Sequence, residues 1–349
     1  MKEKRSGIKS IIASVAILII LIAVTYWLLF SRFEIGELLE IINDAYLPFI
    51  AIGFGMIFIY LLCYCFFTKT LLRSRGYAVK TLSAFRYAAA DFYYSAITPS
   101  ASGGQPFVIY YMNKDGLPVS EGFLSTSLHT IVYKVALLTI NLASLIIYPK
   151  VFINSGWAFI CFWFLGLALS LGVILLTLLS VIKRDAVVKF GTGVIRLLGK
   201  IKIIKDVPKN TEKFASSVDD YQNAVKELTG KKKLLVRLFA IVSVQRLAYF
   251  SVAFIVYRSL GNTGQSYLFF VAIQAFIALS VDSLPFPGGM GANELAMILM
   301  YKPAFGPEKA AGAMLIIRFI TYYFGLIVTS GTTIIYHIYN SFKRKKVVK

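Results

Sequence analysis

Four basic and three acidic side chains stand inside apolar stretches: Arg86, Lys134, Arg246 and Arg318, with Asp91, Asp282 and Glu294. Ionisable groups in such positions are costly, so they line a pathway or pair with one another. Pairing could neutralise Lys134, Arg246 and Arg318 with the three carboxylates, which leaves Arg86 as surplus positive charge. A phosphate-bearing substrate would complete the set, because guanidinium groups hold phosphate through paired hydrogen bonds. Tyr87, Asp91, Tyr94 and Thr98 share one helix face. Thr130 and Asn141 flank Lys134, Gln245 and Tyr249 flank Arg246, and Gln274 precedes Asp282 by two turns. Thr321, Tyr322 and Gly325 lie on the face of Arg318.

Two short stretches interrupt the apolar runs that carry these residues. The first, "TPSASGGQP" at 98–106, holds Thr98, Ser100, Ser102, Gly103, Gly104 and Gln105. The second, "SLPFPGGMGANE" at 283–294, holds Pro287, Gly288, Gly289, Asn293 and Glu294. Proline withholds an amide donor and glycine permits backbone that other residues resist. At membrane depth such backbone is tolerated only when buried in protein or lining a wet cavity. The arms that begin near Gln105 and Gly291 would aim helix N-termini at the membrane centre, and free amides there suit an anion such as phosphate. A pair of structural kinks satisfied by neighbouring helices is the plainer alternative.

Other chemistry is poorly supported. No Ser-His-Asp order, paired-histidine motif or nucleotide loop occurs, and no strand precedes the Gly-Gly pairs. This argues against an enzyme, against ATP-driven transport and against any cofactor. His129 and His337 are the only histidines, and Cys63, Cys65 and Cys161 all lie in apolar runs, so neither a metal site nor a disulfide framework follows. The net charge is +20 over 349 residues. The basic residues cluster beside apolar runs, which points to cytoplasmic loops and anionic lipid rather than nucleic acid.

The elements that must position these groups follow from hydropathy. The chain is 58% hydrophobic, with mean hydropathy +0.71, and it reads as an all-α polytopic membrane protein of a single domain. Full spans are expected at about 10–30, 46–67, 121–148, 157–182, 234–260 and 309–339. Lys2, Lys4, Arg5 and Lys9 place the N-terminus inside, and Lys343, Arg344, Lys345 and Lys346 place the C-terminus inside. The apolar segments 82–113 and 267–301 are then re-entrant hairpins, one entering from each side. Span, hairpin, span thus occurs twice in opposite orientation, the inverted-repeat arrangement of secondary transporters. Residues 183–234 form a polar cytoplasmic segment. Val187, Phe190, Val194, Leu197 and Ile201 suit a basic amphipathic helix on the membrane surface, and Phe214, Val218, Tyr221, Val225 and Leu228 a second helix closed by Gly230.

With "ITPSASGGQPFVIYYMNKDG" and "SLPFPGGMGANELAMILMY" in this order, and Arg86 upstream of the first, the chain resembles the transmembrane flippase-like domain of the lysylphosphatidylglycerol synthase/flippase family over about residues 8–340. The resemblance implies a multi-pass protein of the bacterial cell membrane that moves a phosphate-bearing lipid between leaflets. In two-domain members that lipid is aminoacylated phosphatidylglycerol, whose export protects against cationic peptides and hence some antibiotics. A separate soluble domain of those members makes the lipid. Only a short basic tail follows Tyr339 here, so a phosphatidylglycerol lysyltransferase activity is not expected of these residues. Membrane lipids, either an anionic phospholipid or a polyprenyl-phosphate lipid, are the expected partners, and a homo-oligomer is compatible with the family. The rival readings are a proton-coupled transporter of a small polar solute, working through Asp91, Asp282 or Glu294, and a non-catalytic membrane subunit that docks a partner through 183–234.

Overall fold

A computed structural model describes residues 45–98, 101, 103–200, 206–282, 284 and 286–347, with the side chains of Leu198, Pro287 and 337–347 left aside. The span expected at 10–30, the N-terminal orientation signal, Ser100 and Ser102 lie outside the described residues. All regular structure among those described is helical.

The helices are α1 (Leu47–Ser74), α2 (Thr81–Ala96), α3 (Gly104–Lys114), α4 (Val119–Ile147), the short α5 (Pro149–Ile153), α6 (Trp157–Ile182), α7 (Arg184–Lys200), α8 (Val207–Thr229), α9 (Lys232–Ser259), α10 (Tyr267–Val281), α11 (Ala292–Arg318) and α12 (Gly325–Val347). A six-residue π-helix, Phe319–Phe324, joins the last two. Five stretches are long and apolar enough to cross a membrane: α1, α4, α6, α9 and the run Ala292–Tyr336. They match the five expected spans that fall on described residues. α1 runs further than expected because Lys69 and Arg73 extend its end without breaking it, and Lys69 Nζ donates to Thr81 Oγ1 at 2.6 Å.

Both broken segments fold as helical hairpins. α2 and α10 have 16 and 15 residues, so each rises about 22–24 Å at 1.5 Å per residue, short of the roughly 30 Å apolar core. The second hairpin's return arm and the last span meet at a kink at Gly306, φ 82°, ψ 161°, between Pro303 and Pro307. That backbone suits glycine alone, and it falls within 302–308, the stretch that separates the expected hairpin from the expected last span.

α1 and α9 make the broadest helix contact in the fold, and they run antiparallel. The Tyr46 amide donates to the Ser259 carbonyl at 2.8 Å, Gln245 Nε2 to the Tyr60 carbonyl at 3.2 Å, and Lys231 Nζ to the Ser74 carbonyl at 3.1 Å. α2 lies against α1 and α12, while α10 lies against α9 and α4. These neighbours recur when α1 is exchanged with α9, α2 with α10, and α4 with the last span, although α10 also packs broadly on α6, a contact with no counterpart at α2.

α7 and α8 pack on each other at one end of the bundle. Arg184 Nη2 donates to Asp219 Oδ2 at 2.8 Å, and this guanidinium holds the Asp219 carboxyl below its ordinary range. The link is kept at neutral pH and lost only as pH falls through that lowered value. Val218, Tyr221 and Leu228 are buried as α8 packs on the bundle, whereas Phe190 and Leu197 on α7 stand exposed beside basic residues, as an amphipathic surface helix requires.

Candidate functional site

A cavity of about 590 Å³ lies between the two hairpin tips, within the roughly 300–1,000 Å³ typical of ligand pockets. Its wall takes Tyr60 and Tyr64 from α1, Asp91 from α2, Ala101 and Gln105 from the first hairpin tip, and His129, Thr130, Tyr133 and Lys134 from α4. Arg246 and Tyr249 come from α9, Gln274 from α10, Asp282, Gly288, Gly289 and Asn293 from the second hairpin's tip region, and Arg318, Thr321 and Tyr322 from the last span. Apolar spans thus converge to bury a polar interior, which membrane helices do where a ligand or pathway requires it.

Two of the intramembrane cations are paired. Lys134 Nζ meets Asp282, whose other oxygen accepts from the Tyr133 hydroxyl at 2.5 Å. Arg318 Nε lies 2.6 Å from Glu294 Oε1. Glu294 Oε2 also accepts from the Gly291 amide at 2.6 Å, which caps α11. Arg318 Nη2 donates to the Gly288 carbonyl at 3.3 Å. The Arg318–Glu294 pair therefore fixes the second hairpin's tip.

Arg246 is different. It is 7% exposed, and among the described residues no carboxylate approaches within ion-pair distance. Its guanidinium carbon sits 4.8, 4.6 and 5.6 Å from the ring centres of Tyr60, Tyr133 and Tyr249. Such ring contacts favour a cation, and they hold this one facing the cavity. Its Nε is buried without a hydrogen-bond partner, as are those of Arg86 and Arg318, so the missing ion pair is what sets Arg246 apart. A buried, incompletely satisfied guanidinium is a ready anion receptor.

Several expected site residues stand elsewhere. Arg86 does not face the cavity. It pairs with Asp115 at the outer end of the first hairpin and lies 3.9 Å from the centre of the Tyr336 ring. The Tyr87 hydroxyl donates to the same carboxylate at 2.6 Å. The surplus charge assigned to Arg86 is thus cancelled by a partner from the opposite arm, and Arg246 is the cation left without an ion-pair partner among the described residues. Tyr94 stacks on Phe107 at 3.4 Å between centres. Thr98 Oγ1 donates to the Tyr94 carbonyl at 2.6 Å and accepts from the Gly103 amide at 2.8 Å. Gly104 lets α3 approach the Asp91 carboxylate so closely that a Cβ there would lie 2.7 Å from Oδ1. Tyr94, Thr98, Gly103 and Gly104 therefore build the hairpin without lining the cavity. Pro287 opens the turn Pro287–Gly289, and Glu294 acts through Arg318.

Asp91, Gln105, Lys134, Arg246, Asp282, Gly288, Gly289, Asn293, Arg318 and Tyr322 do converge. Gln105 Nε2 donates to Thr130 Oγ1 at 2.8 Å, and the Tyr322 hydroxyl donates to the Ala96 carbonyl at 3.0 Å, tying the last span to the first hairpin. The sequence reading missed the cage of Tyr60 and Tyr133 and the cavity position of His129, whose Nε2 lies 3.3 Å from Gln245 Oε1. The signal available was Arg246 itself, since a lone cation in an apolar span needs aromatic or anionic company. No cluster of metal ligands occurs among the described residues.

These features define a multi-pass helical membrane protein with a cationic cavity between two broken hairpins. The chain belongs to the family described as the lysylphosphatidylglycerol synthase transmembrane region, whose model matches residues 11–329. A comparison with curated proteins gives no match.

Proposed function

We propose that the protein is a lipid translocase, moving a phosphate-bearing lipid between the leaflets of a bacterial plasma membrane. The observation that carries this reading is Arg246, a buried guanidinium without an ion-pair partner among the described residues, caged by three tyrosines and facing the cavity. The headgroup phosphate takes Arg246, with Gln105, Asn293 and the Gly288–Gly289 backbone as further contacts, while the acyl tails stay in the bilayer. Family membership supports lipid as the cargo. Aminoacylated phosphatidylglycerol, other anionic phospholipids and polyprenyl-phosphate lipids all present this phosphate.

The antiparallel pairing of α1 and α9 supports an inverted repeat, with the hairpins entering from opposite sides and both termini cytoplasmic. On this reading the chain moves lipid and does not synthesise it. Aminoacyl transfer belongs to the soluble domain of two-domain members of the family.

The test is reconstitution into phosphatidylglycerol/phosphatidylethanolamine vesicles carrying a fluorescent phospholipid, with leaflet exchange read by chemical quenching. Arg246→Ala is expected to slow exchange at least tenfold, and Arg246→Lys to recover part of it, since lysine restores charge without the two-pronged donor. Native mass spectrometry should show a phosphate lipid on wild type that Arg246→Ala loses. A folded Arg246→Ala protein that exchanges lipid at the wild-type rate would overturn the reading.

A further inference from the structure

The cavity holds one carboxylate that, like Arg246, has no ion-pair partner among the described residues. Asp282 and Glu294 are each held in an ion pair. Asp91 lines the same cavity, and no cation reaches ion-pair distance of it among the described residues. Arg246 is near enough for the two charges to act on each other, yet no bridge closes between them. Around Asp91, α1 presents the hydroxyls of Tyr60 and Tyr64, and the Tyr64 hydroxyl donates to the Asp91 carboxylate. Across the cavity α4 brings His129, Tyr133 and Lys134, and α9 brings Arg246 and Tyr249; the His129 ring lies 4.4 Å from that of Tyr64, and Lys134 is held by Asp282. α3 brings only neutral Gly104 and Gln105 to the hairpin tip, and the turn Pro287–Gly289 has no titratable side chain. From the last span Tyr322 is engaged by the Ala96 carbonyl. On its own helix, Arg86 is held by Asp115.

Resting on the translocase reading, we infer that Asp91 is the proton-carrying group that couples lipid movement to a proton gradient. Asp91 and the lipid phosphate compete for one counter-charge. With the cavity empty, Arg246 favours the ionised form of Asp91 against the burial that disfavours it. When a phosphate takes Arg246, Asp91 is left in an apolar bundle, beside a second anion and without compensation, so its carboxylate accepts a proton from the open side. An O–H bond forms on Asp91 as the phosphate closes on Arg246. When the lipid leaves on the other side, Arg246 is freed, that bond breaks and the proton departs there. A phosphodiester carries one negative charge and the proton one positive, so the step is electroneutral. Lipid and proton travel in the same direction, toward the more alkaline side.

Linkage fixes the size of the effect. If binding one lipid takes up one proton, apparent affinity rises about tenfold for each pH unit of acidification over the range where Asp91 titrates. This also narrows the three carboxylates offered by the sequence to one, because Asp282 and Glu294 already have fixed partners.

The experiment places the protein in vesicles containing NBD-labelled phosphatidylglycerol and a trapped pH-sensitive dye, with a pH step imposed in either direction. In wild type, labelled lipid is expected to accumulate in the leaflet facing the alkaline side, to reverse when the gradient reverses, and to be accompanied by dye-reported proton flux. Asp91→Asn, an isosteric change, should equilibrate the lipid between leaflets whatever the gradient and without proton flux. Asp91→Glu should restore both responses. Wild-type exchange indifferent to the gradient, or an Asp91→Asn protein still driven by it, would defeat the coupling and leave the translocase reading intact. No wild-type movement of the probe under either gradient would defeat both.

Discussion

Glu294→Ala is expected to lower the stability of the folded protein by about 3–5 kcal/mol, the scale for leaving one member of a buried ion pair alone. Both partners are nearly inaccessible, Arg318 at 2% and Glu294 at 6% exposure. The loss has two parts. The Arg318 guanidinium keeps only the Gly288 carbonyl, 3.3 Å away, and the Tyr322 ring, 4.5 Å from its carbon. The first turn of α11 also loses the carboxylate that accepts its Gly291 amide. Arg318→Ala should cost a comparable amount while sparing that cap. The double replacement Glu294→Leu/Arg318→Met should recover most of the stability, because a buried pair is often no better than well-packed apolar residues of similar volume. Denaturant unfolding of the four proteins in detergent measures this. Near-additive losses in the double variant would mean that the residues act separately. Recovered stability without recovered lipid exchange would assign the pair a role in shaping the second hairpin's tip.

Gly166→Ala is the second large effect. Gly166 sits on α6 where it crosses α10, and a Cβ there would lie 1.9 Å from the Leu279 carbonyl oxygen and 2.8 Å from its carbon. Both atoms are backbone, so the helices must part. Overpacking a tight site costs about 1–3 kcal/mol, and the upper end is expected because no rotamer change can relieve the clash. Separation also carries function. α10 ends at Val281, and the next residue is Asp282, whose partners Lys134 and Tyr133 belong to α4. Moving α10 therefore disturbs that pair and the cavity wall with it. Gly172 on the same helix is the control. A Cβ there meets nothing within 4 Å, so Gly172→Ala should be neutral or slightly stabilising, as alanine is the better helix former. Equal unfolding midpoints for the two alanine variants would show that the close crossing is unimportant.

The spans could be read from the sequence because each is a long apolar run ended by charge or by turn residues, as with Lys183 after α6. The hairpins were legible for a related reason. Proline and adjacent glycines inside an apolar segment leave arms too short to cross, and α2 and α10 are such arms. What failed was partner choice. Local sequence places Arg86 only five residues before Asp91, which invites a shared site. Asp115, on the opposite arm of the same hairpin, takes it instead, because the fold of α2 against α3 decides which carboxylate lies nearby. The same limit applied in the opposite direction to Arg246. Its position in an apolar span marked it as unusual, but the cage needs Tyr60 from α1 and Tyr133 from α4. The periodicity of α9 can locate neither. The division at Gly306 was legible, because Pro303, Gly306 and Pro307 stand among the charges of Lys302, Glu308 and Lys309 between the hairpin and the last span.

The contact between α1 and α9 is tied along its whole length. Its hydrogen bonds lie at both ends and at the middle, and the middle one joins Tyr60 to Gln245, the neighbour of Arg246. Two helices fastened at three levels are held as one unit. The spacing between Tyr60 and Arg246 is therefore set by the frame of the fold and not by the hairpins that close around it.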